Sequence, residues 1–137
     1  MKLGILTSIF GNYNFEQVLD MTSEFGLECM EVACWPQGEG ERRYAGVCHI
    51  DCENFTDEEA HTIINKCEEK KIFISALGFY ANLMDENLEK RKENIQHFMK
   101  VIDVSAKLNI NMVTGFLGRM QHKTLEENYR GSYYEKM

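Results

Sequence analysis

Four short apolar runs punctuate the chain, each followed by a polar stretch whose apolar residues recur every three or four positions. The most uniform run is Ile72–Tyr80. It is too short to span a membrane and too evenly apolar to be a half-exposed strand, so it reads as a strand buried on both faces. Leu3–Phe10, Leu27–Cys34 and Ile110–Phe116 read as three further strands of the same kind.

Between these runs lie helical patterns with recognisable starts. Asn14 with Gln17, Thr56 with Glu59 and Thr124 with Glu127 have the spacing of capping boxes. After the first, Phe15, Val18, Leu19, Thr22 and Phe25 share one helical face. After the second, Ala60, Ile63, Ile64 and Cys67 do the same. A longer helix is expected over Asp85–Leu108, with its apolar stripe at Ile95, Phe98, Met99, Ile102 and Ala106. A fourth helix is expected to begin after Thr124 and to be cut short by Gly131.

The joints between helix and strand repeat. Phe25-Gly26-Leu27, Lys70-Lys71-Ile72 and Leu108-Asn109-Ile110 each turn a helix directly into a buried strand, with Gly26 well suited to the left-handed residue such an ending needs. Strand–helix alternation with buried strands predicts a parallel sheet with right-handed crossovers. Spacing leaves two architectures open: a small doubly wound sheet, and the first half of a (β/α)8 barrel.

Composition narrows the class. The 137 residues fit one domain with a real core, and 44% hydrophobic with 27% charged residues is ordinary for a globular protein. A formal net charge of −7 argues against nucleic acid or an anionic membrane as partner. No apolar run reaches the length of a transmembrane helix, and the first residues lack the apolar core of a signal peptide. Five cysteines without a framework spacing point to reduced thiols in a cytoplasm.

Several stretches together resemble the sugar phosphate isomerase/epimerase family, the xylose-isomerase-like TIM barrels. They are Leu3–Gly11, Met30-Glu31-Val32, His49–Cys52, Ile74–Leu77, Asn82-Leu83, Phe116–Arg119 and Lys123–Asn128, in order along residues 1 to about 129. Leu83 stands where the family commonly has proline. The resemblance implies four βα units of a (β/α)8 TIM barrel, a half-barrel with a parallel sheet and outer helices, as one domain over 1–137. A whole barrel takes about 250 residues. The family's metal ligands and acid/base carboxylates lie mostly on later strands, so a divalent metal (Mn, Mg, Zn or Co) is implied for the complete barrel and none is expected in this chain alone.

Function in such folds gathers at the carboxyl ends of the strands. Glu31, a carboxylate amid an apolar strand, would either contact substrate or make a structural bond. Trp35 would stack on a sugar face or pack in its loop. His49 would face the mouth or be a plain loop histidine. Tyr80 and Asn82 would offer a hydroxyl and an amide to a polyol, and Arg119 would neutralise a phosphate or substrate carboxylate unless it is a surface ion-pair partner. Cys48, His49 and Cys52, with Cys34, also permit a weak zinc reading, since only one ligand pair has suitable spacing. His61 and His97 fall within helices and carry no assignment. Gly38–Arg43 lacks the spacing of a phosphate cradle.

The expected partner is a sugar or sugar phosphate, and the expected role is the sugar-contacting half of an isomerase or epimerase, inactive by itself. Its open sheet edges and uncovered inner face predict a homodimer, or cover by a missing C-terminal half. The alternatives are a non-enzymatic half-barrel that binds or assembles, and an abasic-site endonuclease relative, which the acidic balance disfavours.

Overall fold

The computed structural model describes residues 1–38 and 44–118. Strands β1 (Gly4–Leu6), β2 (Cys29–Ala33), β3 (Phe73–Phe79) and β4 (Val113–Gly115) form one parallel sheet in the order β1-β2-β3-β4. Helices α1 (Phe15–Glu24), α2 (Asp57–Lys70) and α3 (Leu88–Lys107) connect them. Parallel strands in sequential order, each joined to the next through a helix, are half of a TIM barrel. The helix expected after Thr124 lies outside the described residues.

Both capping boxes within the described residues form. Asn14 accepts from the Gln17 amide at 3.0 Å while the Gln17 side chain takes the Asn14 N–H, and Thr56 and Glu59 do likewise. The helix-to-strand joints also share one geometry. Gly26, Lys71 and Asn109 all adopt left-handed backbone, at φ 68°, 57° and 54°. The next residue's N–H then reaches back to a last-turn carbonyl: Leu27 to Thr22, Ile72 to Cys67 and Ile110 to Ser105, at 3.1, 3.0 and 2.8 Å. These are Schellman endings, which satisfy the orphan carbonyls of a helix while aiming the chain back along the sheet.

The core lies between sheet and helices. Val18 and Leu19 of α1, Met30 and Val32 of β2, Leu77 and Phe79 of β3 and Val101 of α3 are essentially sealed from water.

Four expectations need correcting. The first strand ends at Leu6, and Thr7–Phe10 is a 3-10 turn. Thr7 is fully buried there because its hydroxyl accepts the Ala33 N–H at 2.9 Å, which holds the turn against β2. The third helix starts at Leu88, where Asn87 caps it by accepting from the amides of Glu89 and Lys90. Most consequential is its face. Only Phe98 of the expected stripe packs against the core, whereas Ile95, Met99 and Ile102 are 41%, 60% and 45% exposed. The buried face instead holds His97, Val101, Val104 and Ser105, followed by Leu108. Its polar members find partners inside: His97 Nε2 lies 2.7 Å from the Cys34 carbonyl, and Ser105 donates to the Ile102 carbonyl at 2.7 Å. In the same way Phe25, placed on the first helix's apolar face, is 59% exposed past its end.

Candidate functional site

The register between β2 and β3 shifts between Met30 and Glu31, so that Met30 faces Ile74 while Glu31 faces Ala76. Ser75, left without a partner residue on β2, donates its hydroxyl to the Met30 carbonyl at 3.1 Å. Such a bulge re-aims the side chain beyond it, and here that side chain is Glu31.

Glu31 Oε1 is held by two hydroxyls. Tyr80 donates from just past β3, and Thr114 donates from β4 at 2.7 Å, with the two hydroxyl oxygens 3.1 Å apart. The carboxyl group thus ties three strands together at their carboxyl ends. Gly78 makes room for it: a Cβ at that position would come within 2.7 Å of Glu31 Oε1 and 3.0 Å of the Tyr80 ring. Burial, with the Glu31 bond as the next cause, holds the Tyr80 phenol above its usual range. Tyr80 is therefore a hydrogen-bond donor throughout the neutral range.

Beside this cluster opens a cavity of about 420 Å³ lined by Leu6, Ser8, Trp35, Tyr44, Ala45, Tyr80 and Phe116. Its walls are aromatic. Tyr80 and Phe116 meet edge to face with ring centroids 5.0 Å apart, and Trp35 packs likewise on Phe79 at 5.0 Å. Phe79 is in turn braced by the His97 ring at 4.6 Å. Aromatic faces interrupted by a few hydroxyls suit a ring that is apolar on its C–H face and polar at its rim.

The structure thus brings Glu31, Trp35 and Tyr80 to one place and sets His49 and Asn82 elsewhere. His49 is buried and turned to the 3-10 turn: Nδ1 lies 2.9 Å from the Thr7 hydroxyl and Nε2 3.3 Å from the Phe10 carbonyl. With Nε2–H donating to that carbonyl, Nδ1 accepts from Thr7. Burial, the leading cause, lowers its pKa. Asn82 is 92% shielded and shapes the following loop, accepting from the Met84 amide at 3.2 Å through its side chain and from Asn94 at 3.1 Å through its carbonyl. Gly118 approaches it so closely that a Cβ there would sit 1.8 Å from Asn82 Oδ1. Arg119 lies outside the described residues. Among the described residues no three His, Cys, Asp or Glu side chains gather to hold a metal ion, so the zinc alternative does not form.

Sequence reasoning missed Ser8, Tyr44, Thr114 and Phe116, and gave His97 no place. Thr114 was within reach, because it is a polar residue near the end of a predicted strand, the same signal that marked Glu31. Tyr44 was not, since its position depends on how a long loop folds back.

The sequence profile of the xylose isomerase-like TIM barrel family matches residues 19–137. Among solved structures, the chain is similar to D-psicose 3-epimerase crystallised with D-fructose, at 21% identity over 84% of this chain and 37% of that one, TM-score 0.59. It is similar to D-psicose 3-epimerase of Clostridium cellulolyticum H10 with D-tagatose, at 15% identity over 84% and 37%, TM-score 0.57. It is also similar to a xylose isomerase domain protein of Planctomyces limnophilus, at 12% identity over 96% and 47%, TM-score 0.56. The chain spans less than half the length of each of these proteins. No curated protein sequence matches it. A profile match over most of the chain, agreeing with a sequentially ordered parallel sheet, shows that this chain belongs to the xylose isomerase-like TIM barrel family.

Proposed function

We propose that this chain supplies the sugar-binding half of an isomerase or epimerase barrel acting on a ketose or its phosphate. The observation that carries the reading is the aromatic cavity set against the Glu31–Tyr80–Thr114 cluster at the strand ends. Trp35 and Phe116 would cover the C–H face of the sugar, and the hydroxyls of Ser8 and Tyr80 would bond its rim. Glu31 would fix the Tyr80 hydroxyl and accept from a substrate hydroxyl. The sugars named for the two epimerase structures agree with this class of ligand. In the complete barrel a divalent ion would polarise the substrate carbonyl. In this reading the chain's own contribution is binding and orientation, carried by the cavity and the Glu31–Tyr80–Thr114 cluster.

Titrating D-fructose and D-tagatose into the full chain tests the reading. Trp35→Ala is expected to weaken binding about tenfold, a loss of about 1.4 kcal/mol. Equal affinity in wild type and variant, or no binding of either sugar, would remove the cavity from consideration.

Two further features complete the proposal. All five cysteines are free thiols, which suits a reducing cytoplasm. Among the described residues β1 and β4 each pair on one side only, and Ile95, Met99 and Ile102 stand exposed on α3. Open edges and apolar stripes favour association, so a homodimer is expected at micromolar concentration. Sedimentation as a compact, cooperatively folding monomer would defeat that expectation.

A further inference from the structure

Just beyond β2 the chain meets the following loop in a single antiparallel bridge between Cys34 and Cys48. The hydrogen bonds flank this pair: Trp35 N–H donates to the Val47 carbonyl at 3.2 Å and His49 N–H to the Ala33 carbonyl at 2.9 Å. Cys34 and Cys48 therefore occupy a non-hydrogen-bonded antiparallel position. There the Cα atoms approach to about 4.5 Å and both side chains leave the same face. That separation falls within the range a disulfide requires. A third thiol, Cys52, lies against Cys34.

The three differ in access. Cys34 is fully buried and Cys52 nearly so, while Cys48 is partly open to solvent. We propose that Cys34 and Cys48 are a thiol pair that a low-molecular-weight disulfide oxidises to an internal disulfide, entering at Cys48 and resolved by Cys34. In the first step Cys48 gives its proton to solvent and its thiolate attacks the oxidant's S–S bond, forming a mixed disulfide and releasing one small thiolate, which takes up a proton. In the second, Cys34 attacks the Cys48 sulfur from beneath, and its proton passes to the departing small thiolate. The mixed S–S bond breaks and the second small thiol leaves outward. The oxidant gains the two electrons that the protein pair loses.

The product would bolt the loop carrying Tyr44 and Ala45, which wall the cavity, to the end of β2. Burial first, then the Asp51 carboxylate and Cys52, pushes the Cys48 thiol up to about 12, and contact with Cys52 and burial push Cys34 up as well. Few thiolates exist at neutral pH, so the pair stays reduced until oxidant is sustained, and oxidation quickens about tenfold per pH unit.

The full-length chain, incubated with oxidised glutathione at pH 8.5 and alkylated without denaturant-induced scrambling, is digested with trypsin and an Asp-directed protease. Cutting before Asp51 separates Cys48 from Cys52, and cutting after Arg42 separates both from Cys34. The expected product joins the Cys34 peptide to the Cys48 peptide, with the loss of two hydrogens and fragment ions placing the bridge on Cys34 rather than on Cys29 of the same peptide, and still forms in Cys52→Ser. Both thiols remaining alkylatable, a glutathione adduct persisting on Cys48, or a bridge from Cys34 to Cys52 would each overturn the assignment. Wild-type mapping decides the matter even if the variant fails to fold.

Discussion

At the amino end of the sheet the chain passes from helix to strand three times, each time through one left-handed residue and the same pair of backbone bonds. At the carboxyl end, among the described residues, no connection resembles another. The first is a 3-10 turn pinned by Thr7, the second a long loop bridged at Cys34 and Cys48, and the third a turn organised by Asn82. The first end repeats because its only task is to stop a helix and re-enter the sheet, and backbone geometry has one economical solution for that. The second end varies because its side chains form a cavity. This is the division of labour expected of a barrel, with stability at one face and chemistry at the other.

If the amino end serves stability, its apolar anchors are the place to break it. Ile72 is 5% exposed and packs just past the Lys71 joint. Ile72→Ala is expected to cost about 2–5 kcal/mol, read by urea denaturation, with sugar affinity of the folded fraction unchanged. A cost below about 1 kcal/mol would mean that the joint is held by its backbone bonds alone.

The carboxyl end should register pH instead. Burial lowers the folded-state pKa of His49, so below about 6.5 the unfolded chain binds the proton more readily. His49 therefore leaves stability whole above about pH 6.5 and erodes it as pH falls towards the folded value. The slope from one group is at most about 1.4 kcal/mol per pH unit. His49→Gln should flatten the curve just below about pH 6.5, ahead of the paired carboxylates, whose lowered pKa values act at lower pH. An unaltered slope in the variant would acquit His49.

Within the cavity cluster, Thr114→Val removes one of two donors to Glu31. The expected loss is about 1 kcal/mol, with weaker sugar binding. A change in stability without one in affinity would reduce the cluster to a strand clamp.

The same division explains what the sequence disclosed. The capping boxes and the left-handed joints depend on residues within a few positions of each other, and Asn14, Thr56, Gly26 and Asn109 announce them. Alternation predicted a parallel sheet but left its strand order open between a doubly wound sheet and a half-barrel, and Glu31 stood out as a carboxylate in an apolar run. His49 was visible as a polar loop residue, but its direction was set by Thr7, 42 positions away. The buried face of α3 was hidden for a related reason. Two apolar stripes run along that helix, and His97 and Ser105 sit in the inward one, where hydrophobicity alone counts them against it. The Cys34 carbonyl that makes His97 tolerable inside lies just past β2, 63 positions away.

The smallest effect bears on the repeated joints and runs towards greater stability. Gly26 adopts its left-handed backbone without strain, but Lys71 adopts φ 57° with a Cβ in place. For an ordinary residue that conformation costs about 1–2 kcal/mol. Glycine would remove the cost but give back about 0.5–1 kcal/mol through the greater freedom of the unfolded chain. Lys71→Gly is therefore expected to stabilise by about 0.5–1 kcal/mol, as a higher urea midpoint with an unchanged slope. Asn109→Gly should gain less, because asparagine tolerates the left-handed region better than lysine. Neither change touches the cavity lining, so sugar affinity should stay constant in both. A loss of stability in Lys71→Gly would show that the stem of that lysine contributes packing that outweighs the strain in its backbone.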